Sequence, residues 1–424
     1  MEPSSERAPK DADYVAQSRW RNQPEKSNLR RSKDRSQSIM NEKKYLADFS
    51  LALINRTGAY YISRDVIDSF DRYFHQCRYW RLHFDRPPEG IFRKILGRLM
   101  LKEIHSLAKT EAFLWPDTYQ KGRLPTVFFD PLYVLRASLH REDIILCHDV
   151  GPISHTELFD PKTCNNYKAA YEKIKKVKPG VVFVSESSKL EFQKYYGEDF
   201  RFLHAIPLYA RLSARKGITS PIDGVTPPFF LTVAALEPRK NYLRVMEAYA
   251  QTGLHAKGIK YVFCGPRGYE ANKILAAAAA TPGVVALAYV SEPQLRWLYA
   301  KASGFVLPSL LEGFGVPALE AADAGLIPLV SKGGAQEEAI GGFGVLVDPM
   351  SVESIASGLT TLVSIKDDDR KVLIANAREH AKSLTLDRFL RGWERILKDN
   401  GPYPPPLPAP IVVLRQRQQI PELT

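Results

Sequence analysis

Four apolar residues, Gly304-Phe305-Val306-Leu307, run directly into Pro308-Ser309-Leu310-Leu311-Glu312-Gly313-Phe314-Gly315-Val316-Pro317 and then into Ala318-Leu319-Glu320-Ala321-Ala322. The first run reads as a buried strand and the last as a helix. Gly313 and Gly315 let the loop bring backbone amides close to a ligand, and Pro317 suits the first helical position, where its missing N–H is no loss. Strand, glycine loop and helix N-terminus together predict a phosphate site, because unpaired N–H groups and the positive end of the helix dipole converge there.

Two carboxylates bracket this turn, Glu312 in the loop and Glu320 about one turn into the helix. A phosphate site alone gains nothing from two adjacent anions, so neutral donors such as sugar hydroxyls are their expected partners. The ligand suggested is a nucleotide sugar; the alternative is an acidic helix start with ordinary capping. Glu312-Gly-Phe-Gly-Val-Pro-Ala-Leu-Glu320-Ala resembles the marker of the retaining glycosyltransferases of the two-Rossmann-domain type (GT-B), family 4, in which seven residues separate paired glutamates. The resemblance extends over most of residues 48–400 and is strongest at 231–241 and 308–322.

At 424 residues the chain can bury two domain-sized cores, against a soft prior of roughly 100–200 residues per domain. No apolar run of about 18 residues is present, so no transmembrane helix is expected, and the polar first forty-odd residues do not read as a secretory signal. Cys77, Cys147, Cys164 and Cys264 have neither CxxC nor metal-ligand spacing, which reads as free thiols in a reducing compartment, hence a cytoplasmic location. A formal charge of +12 implies an anionic partner: nucleic acid, membrane surface or phosphorylated substrate.

Residues 1–44 are polar and charged and read as a disordered tail, with Arg30-Arg31-Ser32-Lys33 its basic cluster. The run Asp48–Ile54 reads as the opening strand, followed by a loop holding Gly58 and a helix from Ile62 to Phe74, as a Rossmann-like domain opens. By resemblance Gly58 lies over the donor phosphates and acceptor; a plain loop turn is the alternative. Residues 73–109 turn basic and aromatic. Ile91, Ile95, Leu99 and Lys102, with Phe92, Leu96 and Met100 as a second stripe, predict a helix resting on anionic lipid or one whose apolar side faces the core.

Thr126–Phe129 and Ile144–Cys147 read as strands of a parallel sheet covered on both faces. The second ends in His148-Asp149, a polar pair at the carboxyl end of a strand, where open α/β sheets place their chemistry. The resemblance gives His148 the donor sugar and phosphate; a structural histidine is the alternative.

The chain restarts at Phe229–Ala234 and reaches Glu237-Pro238-Arg239-Lys240-Asn241. Two adjacent cations at a strand-to-helix turn suit a diphosphate, one as a point charge and one as a fork of donors. The resemblance assigns Arg239 and Lys240 to the donor diphosphate and the departing nucleotide, Glu312 to the hexose hydroxyls and Glu320 to the ribose. It places the loop residues Gly313, Phe314, Gly315 and Val316 at the donor, and the base against Tyr289, Val290 and Ser291.

These readings predict an α/β chain of two Rossmann-like domains facing across a cleft. The bounds are a tail over 1–44, an acceptor domain over 45–212, a linker over 213–228 and a nucleotide-sugar domain over 229–385. A helix over 386–400 would return to the first domain, before a proline-rich tail over 401–424. The resemblance implies transfer of a hexose, mannose from GDP-mannose first, with retention at the anomeric carbon. The acceptor would be a saccharide, polyprenyl-diphosphate-linked, at the inner face of a bacterial membrane in surface-polysaccharide synthesis. No metal or other cofactor is expected beyond the nucleotide-sugar donor. A nucleotide-sugar epimerase, a soluble glucosyltransferase using UDP-glucose, and a membrane- or nucleic-acid-binding module are the rivals; the module leaves the glutamate pair without a purpose.

Overall fold

The computed structural model describes residues 44–54, 56–110, 123–211, 217–287 and 290–399; the expected tails at 1–43 and 400–424 lie outside them. The first sheet contains β1 (Tyr45–Asp48), β2 (Phe74–Tyr79), β3 (Leu82–His83), β4 (Thr126–Phe128), β5 (Ile144–Cys147), β6 (Gly180–Phe183) and β7 (Phe202–Ala205). Their order is β3-β2-β1-β4-β5-β6-β7, parallel throughout except for the β2–β3 hairpin. Helices α1 (Gly58–Ser69), α2 (Gly90–Thr110), α3 (Gly151–Ser154), α4 (Pro161–Val177) and α5 (Glu186–Tyr196) connect these strands. Burial of both sheet faces explains why strands such as Ile144–Cys147 carry no polar alternation.

The second sheet is wholly parallel: β8 (Phe229–Val233), β9 (Lys260–Cys264), β10 (Val284–Leu287), β11 (Gly304–Leu307), β12 (Pro328–Ser331) and β13 (Val345–Val347), in the order β10-β9-β8-β11-β12-β13. Its helices are α6 (Tyr242–Thr252), α7 (Ala271–Ala280), α8 (Glu292–Lys301), α9 (Val316–Ala324), α10 (Ala335–Ile340), α11 (Val352–Ser364) and α12 (Asp367–Ser383). The last helix, α13 (Leu386–Asp399), buries Phe389, Trp393, Ile396 and Leu397 in one cluster with Ile62, Val66, Phe70 and Phe74 of the first half. At roughly 1.5–3 kcal/mol for each large apolar side chain taken from water, these four residues anchor α13 to α1 and β2.

Two sequence expectations are corrected. The apolar run Asp48–Ile54 is not one strand: β1 ends at Asp48 and Ser50–Leu53 forms a 3-10 turn. Buried Asp48 ends the strand, accepting the Ser50 amide (3.1 Å) and ion-pairing with Arg78 and Arg136 (2.9 Å each). An all-apolar run cannot by itself distinguish a strand from a buried turn. The helix expected over 62–74 instead spans Gly58–Ser69, and Phe74 opens β2.

Both apolar stripes of α2 exist, with different neighbours. Leu96, Met100 and Ile104 are buried in the core, and Gly97 lies so close to the Leu53 carbonyl that a Cβ would approach it to 2.8 Å. Ile91, Phe92, Ile95, Leu99 and Leu101 stay exposed, interleaved with exposed Lys94, Arg98 and Lys102.

Candidate active site

In a parallel sheet, neighbouring strands whose connections leave in opposite directions open a crevice at their carboxyl ends. In the second sheet that pair is β8 and β11. β8 leads into the 3-10 turn Pro238–Lys240 and β11 into the glycine loop. The Leu310 amide donates to the Arg239 carbonyl (2.8 Å) and Asn241 Nδ2 to the Pro308 carbonyl (2.9 Å), which joins the two turns. Asn241 holds the left-handed conformation this needs (φ 63°), one that asparagine tolerates better than most residues.

The joined turns bring three predicted residues together. Lys240 Nζ lies 2.6 Å from Glu312 Oε1, Ser309 Oγ donates to the same oxygen at 3.0 Å, and Arg239 Nη1 stands 3.7 Å from Glu312 Oε2. Arg239 Nε also pairs with Glu237 at 2.6 Å. Burial pushes the Glu312 carboxyl upward, but the charges of Lys240 and Arg239 outweigh it and hold it below the usual range. Burial and the Arg239 charge lower the Lys240 ammonium, against the pull of Glu312. Within the chain, the immediate partners of Glu312 are therefore two cations and the Ser309 hydroxyl.

Gly315 caps α9 in the left-handed region at φ 107°, and Pro317 is the helix's second residue. Buried Gln336 of α10 braces the loop, donating to the Leu307 carbonyl (2.8 Å) and accepting from the Ser309 amide (3.2 Å).

In the first sheet the crevice lies between β1 and β4, with Gly58 at the start of α1 and Asp130 just beyond β4. His148 follows β5; burial depresses its imidazole toward the neutral form, against the Asp149 charge. Its Nε2 is buried and has no hydrogen-bond partner among the described residues. Asp130 Oδ1 accepts from the Leu132 amide at 2.8 Å, and Asp130 Oδ2 accepts the Tyr167 hydroxyl at 3.0 Å. Burial, with help from the Asp149 charge, pushes the Asp130 carboxyl up to about 7 despite those bonds.

The halves meet at Gly313. Its carbonyl accepts from Ser185 Oγ (2.7 Å) and Ser188 Oγ (3.0 Å), and a Cβ on it would stand 2.4 Å from the His148 carbonyl oxygen. Beside this contact, Glu338 accepts the Glu186 and Ser187 amides (2.9 and 3.0 Å), capping α5 from the opposite half.

A cavity of about 500 Å³ lies between the halves, lined by Gly58, Asp130, His148 and Tyr167 on one side and by Arg239 and the stretch Glu312–Pro317 on the other. It thus gathers Gly58, His148, Arg239, Glu312, Gly313, Phe314, Gly315 and Val316, with Lys240 paired to Glu312. Glu320, Val290 and Ser291 do not line it. Glu320 Oε2 stands 3.4 Å from the Tyr299 hydroxyl, Ser291 forms a capping box with Gln294 at the start of α8, and Tyr289 lies outside the described residues.

Sequence reasoning passed over Asp130, Tyr167 and Glu338. Asp130 carried a usable signal: a polar residue at the carboxyl end of an apolar strand, the position that singled out His148. Among the described residues no group of three or more His, Cys, Asp or Glu is placed to hold a metal, and no helix is long and apolar enough to cross a membrane.

Residues 221–380 match the family described as glycosyl transferases group 1. The O-antigen chain mannosyltransferase B of Escherichia coli is 32% identical over 165 residues, covering 38% of this chain and 42% of that protein. The serotype-specific mannosyltransferase WbdA of Escherichia coli is 26% identical over 244 residues, covering 50% of this chain and 28% of that protein. This chain therefore spans less than half the length of these relatives. Among solved structures, the sucrose-phosphate synthase from Thermosynechococcus elongatus superposes with a TM-score of 0.61 at 15% identity, covering 83% of this chain and 98% of that one. An α,α-trehalose-phosphate synthase from Burkholderia xenovorans superposes with a TM-score of 0.53 at 12% identity, covering 72% and 78%. These likenesses establish the fold as two Rossmann-like domains, the GT-B arrangement.

Proposed function

We propose that this chain, a group 1 glycosyltransferase through residues 221–380, transfers a hexose from a nucleotide diphosphate sugar to a saccharide hydroxyl with retention at the anomeric carbon. The supporting observation is the Arg239–Lys240–Glu312 cluster beside the Gly313–Gly315 loop, at the mouth of a cavity between two Rossmann-like domains.

As the bond from the sugar to the diphosphate breaks, negative charge grows on the leaving phosphate. Arg239, Lys240 and the amides of Phe314 and Gly315 are fixed donors suited to hold it, without reorganisation during the reaction. Glu312 keeps the two cations in place and orients them, and its oxygens are the nearest acceptors for hexose hydroxyls. His148, which burial keeps toward the neutral form, lines the same space. On this reading the departing phosphate takes the acceptor's proton on the face it leaves, so no second carboxylate serves as nucleophile. Glu320 holds the ribose, with Val290 and Ser291 toward the base.

Mannose from GDP-mannose is the first choice of donor, because both relatives above are named mannosyltransferases; UDP-glucose is the second. Full activity in EDTA is expected on the reading that the two cations replace a metal. The acceptor is taken to be lipid-linked and reached at an anionic membrane surface through α2, whose outward face alternates apolar side chains with cations. Ile95→Glu with Leu99→Glu, both at exposed sites, should abolish co-sedimentation with phosphatidylglycerol vesicles without lowering Tm; unchanged binding removes the membrane role.

The deciding experiment is a thermal-shift panel of nucleotide diphosphates and nucleotide sugars on wild type and Glu320→Ala, followed by NMR of the product's anomeric configuration. One nucleotide class should raise Tm, less so in the variant, and the product should keep the donor's configuration. No shift with any nucleotide, or an inverted or epimerised product, overturns the reading.

A further inference from the structure

Leu311, the residue before Glu312, reaches across to the first half. A Cβ on Gly151 would stand 2.1 Å from Leu311 Cδ2, 2.9 Å from Phe159 Cζ and 3.0 Å from Asp149 Oδ1, so the end of the leucine side chain fills a notch that glycine leaves open. Gly151 opens α3, and the loop before it is held within the first half. Its amide donates to Asp149 Oδ1 (2.9 Å), the Tyr171 hydroxyl to the Asp149 carbonyl (2.7 Å) and Ser188 Oγ to the His148 carbonyl (3.1 Å). On either side of Leu311 the glycine loop is gripped by different halves: the Leu310 amide donates to Arg239 of its own half, whereas the Gly313 carbonyl accepts from Ser185 and Ser188 of the other. Glu312 lies where the loop passes from one hold to the other. A second cavity of about 200 Å³ borders this crossing, lined by Leu311, His155, Glu191 and Lys332 and sharing Asp149 and Glu312 with the larger one, so the loop has room to move once the leucine leaves its notch.

We propose that Leu311, seated against Gly151, is a positioning residue for transfer: it gears the His148–Asp149 loop of the first half to Glu312 of the second, so that contact between the halves sets where the Glu312 carboxylate stands. The inference rests on the transferase reading above and deepens it by naming a residue that touches no reacting atom. Apolar packing suits this role, because close-packed side chains transmit a displacement instead of absorbing it. With the notch filled, Glu312 cannot slide toward the first half without driving Leu311 Cδ2 into Gly151. With the notch emptied, Glu312 keeps Lys240 but loses its fixed distance from His148, a misplacement that costs rate more than nucleotide affinity.

The test uses the full chain with the donor that the thermal-shift panel identifies and octyl α-mannoside as acceptor, turnover being read as release of the nucleoside diphosphate. Leu311→Ala and Gly151→Ala should each lower kcat by about 10- to 100-fold, the scale of a misplaced group, while the donor KM stays within about twofold and the nucleotide still raises Tm. Gly151→Ala can fold by moving Leu311 into the cavity of about 200 Å³. In Leu311→Ala the notch is empty, so adding Gly151→Ala should cost no more than about a further twofold, where independent losses would multiply. Hydrogen exchange reads the same coupling without turnover. The amides of 148–151 and 309–313 should lose protection together in each single variant, although they lie in different halves; damage local to one half would loosen one segment alone. An unchanged kcat in either single variant, losses that multiply, or exchange confined to the mutated segment would overturn the inference and leave the transferase reading intact. Failure of the wild type to bind any nucleotide sugar would remove both.

Discussion

Gly313→Ala tests whether contact between the two halves assembles the site. A Cβ at this position would lie 2.4 Å from the His148 carbonyl oxygen and 3.1 Å from its carbon. Ordinary contact begins at 3.4 Å, so the clash is about 1 Å deep, and the obstructing atoms are backbone. Overpacking of this kind costs roughly 1–3 kcal/mol. Separating the halves also weakens the Ser185 and Ser188 hydrogen bonds to the Gly313 carbonyl, each worth about 0.5–1.5 kcal/mol net. Together these terms put about 2–6 kcal/mol against the closed arrangement. Each half keeps its own sheet and core, so the variant should fold, with the glycine loop shifted by about 1 Å relative to His148. A displacement of that size between positioned groups can cost about 100-fold in rate. The assay is kcat/KM for transfer, beside circular dichroism and small-angle scattering to show a folded but more open molecule. A folded variant with the wild-type rate would refute the reasoning.

Gly58→Ala is the complementary probe: a Cβ there meets no atom within 4 Å, so Tm should hold and any rise in KM reports the approach of a ligand. Lys240→Met leaves Glu312 buried with the Ser309 hydroxyl and only the more distant Arg239 as a cation, and should cost roughly 3–5 kcal/mol in denaturant unfolding; Lys240→Met with Glu312→Gln should recover part of it, and an additive double variant would contradict the pairing. The folded state raises the Asp130 carboxyl to about 7, so it favours the protonated form, and its contribution to stability falls as pH rises from about 4 to 7. Asp130→Asn should therefore match wild type near pH 4 and exceed it by up to about 4 kcal/mol above pH 7, checked by thermal melts across that range; a constant difference would exclude the titration. That penalty is the kind of stability cost functional carboxylates carry.

The short apolar runs and their glycine loops determined the α/β class by themselves. Continuous apolar strands fit a sheet covered on both faces, and Leu-Glu-Pro-Arg-Lys-Asn and the loop glutamate Glu312 marked one crevice because their chemistry depends on local order, whereas Glu320 does not line the cavity. The pairing of Glu312 with Lys240 was not legible, since 72 residues separate them and only the adjacency of β8 and β11 brings them together. The same holds for Asp48, whose partners Arg78 and Arg136 lie far along the chain and whose burial turns an apparent strand into a 3-10 turn. For α2, periodicity revealed two apolar stripes but could not say which one meets the core. Packing of Leu96, Met100 and Ile104 settled that and left Ile91, Ile95 and Leu99 outside. Local order determined which residue types stood ready at each turn; tertiary structure decided which faced one another, because burial and charge pairing act across space without regard to separation along the chain.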